Sequence, residues 1–127
     1  MANSSTKSDE IGAIINGSFK TVTEYEIVID TVDTALTVHT PAATNRVFVT
    51  GVWLSEGTAA NLTFASGANT KQHTFELAAN QALSGHTSLG FYFATKVGEA
   101  LKVQSSAAIG ATVGKNMILR VVEAPHI

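Results

Sequence analysis

Apolar residues along this chain recur mostly at every second position, the spacing of a strand with one buried face. Tyr25, Ile27 and Ile29 alternate with Glu24, Glu26, Val28 and Asp30. Leu36-Thr37-Val38 is a shorter run closed by Pro41, whose missing N–H suits a strand end. Residues 46–54, RVFVTGVWL, are apolar on both faces. Simple alternation puts Val47, Val49 and Trp53 on one side and Phe48, Val52 and Leu54 on the other. Such a strand sits centrally in a core or presses on another layer or subunit, and Gly51 within it marks a bulge or a close backbone approach.

Leu62 and Phe64 alternate next, and Ser66 to Thr70 (SGANT) reads as a turn. His73, Phe75 and Leu77 then alternate with Gln72, Thr74 and Glu76. AANQALSGHTS holds another short run and a turn at Gly85. Leu89, Phe91 and Phe93 alternate with Ser88, Gly90, Tyr92 and Ala94. Met117, Leu119 and Val121 interleave with Ile118, Arg120 and Val122 in a last strand that ends at Pro125. This makes about eight or nine strands with turns about every 8–12 residues, the spacing of a sandwich or barrel. No window holds an i, i+3, i+4, i+7 stripe for three turns. The prediction is an all-β, antiparallel single domain over 16–127, a β-sandwich preceded by a flexible polar arm at 1–15.

One segment resists this reading. Residues 96–106, KVGEALKVQSS, contain good helix formers. A mean helix of about 11 residues does not fit between Phe93 and the next turn at Ser105-Ser106. A turn at Gly98 followed by a strand over Glu99 to Gln104 does, which makes Glu99 a turn-proximal carboxylate that caps the turn or pairs with Lys96.

Composition narrows the function classes. The 127 residues include no cysteine, so disulfide scaffolds and thiolate metal sites are excluded. The formal net charge is −2, and the eight Lys and Arg are scattered, so no basic footprint for nucleic acid is present. The N-terminal MANSSTKSDE lacks the apolar region of a secretory signal, and no apolar run reaches the length of a membrane span. Charged residues make up only 14%, a low fraction that suits a surface partly buried in an assembly.

Candidate chemistry is sparse. No two of His39, His73, His86 and His126 lie three to five apart, so no short-range zinc motif exists. No G-x-S-x-G, phosphate loop or cofactor motif is present, and no cofactor or metal is expected. Glu24 and Glu26 share a strand face, as paired acids for glycoside hydrolysis would, and equally as the solvated side of a half-buried strand. Trp53, Tyr25 and Tyr92 are candidates for a sugar-stacking platform, the basis of an alternative reading as a carbohydrate-binding or host-attachment module.

Residues 41–123 carry a resemblance. In order come PAATNRVFVTGVWLS, NLTFASG, FELAANQAL, LGFYFATKVGEALKV and VGKNMILRVVEA. The fragments Thr63-Phe64-Ala65-Ser66-Gly67, Leu77-Ala78-Ala79-Asn80 and Gly98-Glu99-Ala100-Leu101 hold the repeated pattern. This succession resembles small virion proteins of tailed bacteriophages, especially head decoration (cement) proteins. The resemblance implies a jelly-roll-like sandwich, commonly a homotrimer, without enzymatic activity. It implies a place on the outer capsid surface of the virion, made in the host cytoplasm, where the major capsid protein is the partner. In that setting Ile11, Ile14, Ile15 and Phe19 are expected as apolar anchors of the arm, or else as part of the first strand. Trp53 and Tyr92 are further candidates for capsid or subunit contact.

Overall fold

The computed structural model describes residues 3–15, 18–55, 59–79, 82–86, 92–109 and 117–125, with the backbone alone for 8–15, 18–19, 55 and 86. Among these residues there is no helix. The strands are β1 (Ser4–Ile15), β2 (Ser18–Val28), β3 (Leu36–His39), β4 (Asn45–Ser55), β5 (Ala60–Ser66), β6 (Lys71–Leu77), β7 (Ala82–His86), β8 (Phe93–Ala94), β9 (Leu101–Ser105) and β10 (Met117–Pro125). They form two antiparallel sheets. One runs β1-β2-β10-β4-β7, with β8 also on β4, and the other runs β3-β9-β5-β6.

The core between the sheets follows from the period-two pattern. Ile27 and Ile29, Met117, Leu119 and Val121, Leu62 and Phe64, and Leu101 and Val103 are all buried in one cluster. Phe64 stacks edge-on to Phe75 and tilts against Phe93, at centroid distances of 5.8 and 6.1 Å.

In β4 the expected alternation fails halfway, for a definite reason. Gly51 pairs Arg120 and Val49 pairs Val121, so Thr50 is an extra residue with no cross-strand partner. Its hydroxyl donates to the Arg120 carbonyl at 3.2 Å. The bulge inverts the parity beyond it. Val47 and Val49 before it, and Val52 and Leu54 after it, all face the core, so Trp53 does not share the side of Val47 and Val49. Phe48 faces the other way, into a second buried cluster with Val22, Ala94, Val122 and Ala124. The two apolar faces of β4 are thus accounted for inside one chain.

Residues 4–15, the stretch expected as an arm, form the edge strand β1 paired to β2 from Ser4↔Val28 to Ile15↔Ser18. Ile11, Ile14 and Phe19 take register positions there, opposite Val22, Phe19 and Ile14 respectively. At its start, the Asn3 carboxamide oxygen accepts from the N–H groups of Asp30 and Thr31, each at 2.8 Å. Gly85 is not a turn residue but lies inside β7, opposite Val52. The expected alternation around Leu89 and Phe91 lies outside the described residues; Phe93 and Ala94 form β8.

KVGEALKVQSS resolves as a turn and a strand. Gly98 has φ +76°, a conformation glycine adopts without a Cβ penalty. The strand begins at Leu101 rather than Glu99.

Candidate functional site

A network of polar residues converges at one end of the sandwich, where three loops meet: 40–44 before β4, 67–70 between β5 and β6, and 95–100 before β9. Two carboxylates organise them. On β10, Glu123 follows Leu119 and Val121 at an inward position, where a carboxylate needs partners to offset lost hydration. Its Oε1 faces His39 Nε2 at 2.7 Å, while Oε2 accepts from the Ala42 N–H at 3.0 Å and from Asn45 Nδ2 at 2.7 Å. The Ala42 N–H, aided by Asn45 and His39, holds the Glu123 pKa down at about 2. Glu123 is therefore ionised over the neutral range, and His39 donates to it through Nε2. The other nitrogen, Nδ1, meets the Tyr25 hydroxyl at 2.8 Å. A neutral imidazole accepts that hydroxyl proton, and an imidazolium donates to the oxygen instead.

Glu99 organises the second half. Its Oε1 accepts from Ser66 Oγ at 2.7 Å and from Thr70 Oγ1. The Thr70 hydroxyl, then that of Ser66, keeps the Glu99 pKa below the ordinary carboxylate value, with a smaller contribution from the Lys96 charge. Ser66 Oγ also accepts from the Lys96 N–H at 2.9 Å. Gly67 fits beneath this carboxylate: a Cβ on it would stand 3.1 Å from the Glu99 carboxyl carbon.

Asn45 and Gly98 join the halves. The Gly98 N–H donates to the Asn45 carbonyl at 2.7 Å, and the Asn45 side chain binds Glu123. A Cβ on Gly98 would lie 3.0 Å from the Ala43 carbonyl oxygen. The network thus runs from Tyr25 through His39, Glu123, Asn45 and Gly98 to Glu99, Ser66 and Thr70. Nearby, Arg46 Nε donates to the Thr95 carbonyl at 2.7 Å, and Thr95 Oγ1 accepts from the Val47 N–H at 2.9 Å.

Chemically, hydroxyl, imidazole and carboxylate in series have the order of nucleophile, base and orienting group. Here, however, Tyr25 packs against the core and both Glu123 oxygens are spent on Ala42, Asn45 and His39. A shallow groove of about 170 Å³ lies elsewhere, on the outer face of the four-stranded sheet, lined by Thr63, Ala65, Gln72, Lys102 and Gln104 among others. The arrangement fastens loops together. Among the described residues, no group of three or more metal-ligating side chains converges.

The other candidate residues do not gather. Glu24 accepts from Arg120 Nε at 3.0 Å, and the Arg120 guanidinium lies 4.9 Å from the centre of the Trp53 ring. Tyr25 instead packs inward, on the opposite face of that sheet. Tyr92 is 53% exposed, and its hydroxyl comes within 3.0 Å of a Cβ built on Gly85, on the Val52 face rather than the Trp53 face. The three rings therefore form no common platform. Ile11, Ile14, Ile15 and Phe19 take their places in the β1–β2 ladder, and their side chains lie outside the described residues.

The Glu99 turn was legible through Gly98, whereas its meeting with Ser66 and Gly67 was not. The Tyr25–His39–Glu123 chain was not, because its members are far apart in sequence. Its one signal was a carboxylate at an inward position of an otherwise apolar strand face. No family model matches this chain, and no curated protein matches it.

Proposed function

We propose that this chain is a virion structural protein that binds the outside of a tailed-phage capsid and bridges its capsomers, in the manner of decoration proteins. The observation that carries the reading is the meeting of two fragments on which the resemblance rests. Thr63-Phe64-Ala65-Ser66-Gly67 and Gly98-Glu99-Ala100-Leu101 lie 30 and more residues apart in sequence, yet Glu99 binds Ser66 and the Gly67 N–H donates to the Ala100 carbonyl at 2.9 Å. A shared pattern whose residues lock two turns together is what a rigid structural body requires.

The finer fold reading is a jelly roll. Supporting it, β2 pairs β10, β3 pairs β9, β4 pairs β7 and β8, and β5 pairs β6. This nests early strands with late ones, as two wrapped Greek keys do. β1 is then an addition beside β2, and the β1–β2 hairpin, with Ile11, Ile14, Ile15 and Phe19, is the proposed capsid contact. A homotrimer supplies multivalency, since after the first contact the others form within one body. Because one chain already buries both faces of β4, the trimer rests on the low charge content and the resemblance.

Sedimentation tests the proposal. Particles assembled without this protein should bind it saturably, in a fixed ratio to the capsid protein, and deleting residues 1–15 should abolish that binding. Protein that stays at the top of the gradient at every concentration overturns the capsid reading. Unchanged binding by the deletion variant overturns the role of the hairpin alone.

A further inference from the structure

The four-stranded sheet ends on β6, which pairs β5 without a register shift from Ala60↔Leu77 to Ser66↔Lys71. Among the described residues, nothing pairs with its other side. The direction of its peptide groups follows from β5. The Asn61 carbonyl accepts from Ser106 N–H at 3.1 Å, and the Gly67 N–H donates to Ala100, so odd-numbered β5 residues turn toward β9 and even-numbered ones toward β6. Their partners Lys71, His73, Phe75 and Leu77 face β5, which leaves the N–H and C=O of Gln72, Thr74 and Glu76 pointing outward.

Proteins usually blunt such an edge with a bulge, a short strand, a proline or an inward charge. The other edges comply: β1 has a register shift between Lys7 and Asp9, β3 has four residues and a shift, and β7 has five residues, including Gly85. β6 has seven regular residues and no proline. Its inward cation, Lys71, is turned back into its own chain, donating to the Ala94 carbonyl at 2.7 Å and lying 5.1 Å from the Phe93 ring centre.

We propose that β6 is a self-association edge, on which a second copy of this chain pairs its own β6 antiparallel about a two-fold axis at Thr74. In this register Thr74 faces Thr74, Gln72 faces Glu76, His73 faces Phe75 and Lys71 faces Leu77. Every outward peptide group of both copies is bonded, and no like charges are opposed. A carboxamide lies beside a carboxylate. His73 meets Phe75 across the pair as these rings already meet within one strand, at 4.6 Å. Moving the axis by one residue either way leaves the outward groups of Gln72 or Glu76 outside the strand pair. The inference stands apart from the capsid reading and is compatible with a trimer built on another surface.

A single strand pair falls in the small-interface class, below about 1,200 Å², so the association is concentration-dependent. Because Thr74 faces itself, Thr74→Lys sets two cations against each other and Thr74→Glu two anions, while an equimolar mixture sets cation against anion. In sedimentation from about 10 µM to about 1 mM, a range set by micromolar-to-millimolar affinities, the wild type should rise toward twice the mass of its basal unit. Each variant alone should remain at that basal mass, and the mixture should double again. Since misfolded variants cannot rescue each other, the mixture guards against loss of fold. A wild type that never doubles, a Thr74→Lys variant that doubles like the wild type, or a mixture that stays at basal mass overturns the proposal.

Discussion

The locked end of the sandwich and the open edge of β6 solve the same problem in opposite ways. Both are places where backbone polar groups leave the regular ladder. At the end they find partners outside the ladder: the Glu123 carboxylate takes the Ala42 N–H, the Ser66 hydroxyl takes the Lys96 N–H, and the Asn45 carbonyl takes the Gly98 N–H. At the edge, Gln72, Thr74 and Glu76 keep their peptide groups outward with no side-chain substitute. The difference teaches where specificity is stored. Substitutions at the end should change stability, and those at the edge should change association.

The largest effect is expected at Gly98. An alanine there takes a positive φ and sets its Cβ 3.0 Å from the Ala43 carbonyl oxygen. Gly98→Ala should lose about 2–3 kcal/mol in denaturant unfolding. A loss under about 0.5 kcal/mol would mean the loops are not held together.

Next comes Glu123→Gln, which removes the charge that three donors address and should cost about 1–3 kcal/mol. Its pH dependence has a fixed sign. The folded pKa is about 2 and the ordinary carboxylate value is 4.5, so Glu123 stabilises the fold fully above about 4.5 and loses that contribution as pH falls toward 2. Unfolding of the wild type between those limits should therefore be steeper with pH than that of Glu123→Gln. Parallel curves would remove Glu123 from the lock.

Glu99→Gln should act in the same direction with a smaller fall in melting temperature, since Glu99 is held by the Thr70 and Ser66 hydroxyls alone, whereas Glu123 is held by a backbone N–H, a carboxamide and an imidazole. Its depressed pKa again places the loss on the acid side. A fall larger than that of Glu123→Gln would reverse the order of the two halves. The smallest effect belongs to Thr74→Lys, which gives up the exposed hydrogen bond between the Thr74 and Thr63 hydroxyls at 2.9 Å and should cost about 0.2–1 kcal/mol while abolishing self-association.

How much of this was legible in the sequence follows the same division. Period-two alternation placed β2, β5, β6 and β10, because side chains of a half-buried strand need no knowledge of distant neighbours. Gly51 marked a bulge or a close backbone approach, and the extra residue is its neighbour Thr50; the parity inversion that follows depends on which strand pairs β4, so Trp53 was put on the wrong face. The polar start of β1 read as a tail, since its pairing to β2 is a backbone property with a weak hydrophobic signature. Gly98 and Glu99 were legible as a turn and its carboxylate. Glu99 was expected to cap the Gly98 turn or pair with Lys96; the Lys96 charge does act on it, but its hydrogen bonds reach across to Ser66 and Thr70. The Tyr25–His39–Glu123 chain joins three strands and could be read only after folding.

Amide hydrogen exchange on the dilute, unassociated chain tests the central claim, a saturated end beside an unsaturated edge, most directly. The account predicts slow exchange at Ala42, Gly67, Lys96 and Gly98. It predicts fast exchange at Gln72, Thr74 and Glu76, alternating with slow exchange at His73 and Phe75. Uniform protection along β6, or fast exchange at Gly67 and Gly98, would contradict it.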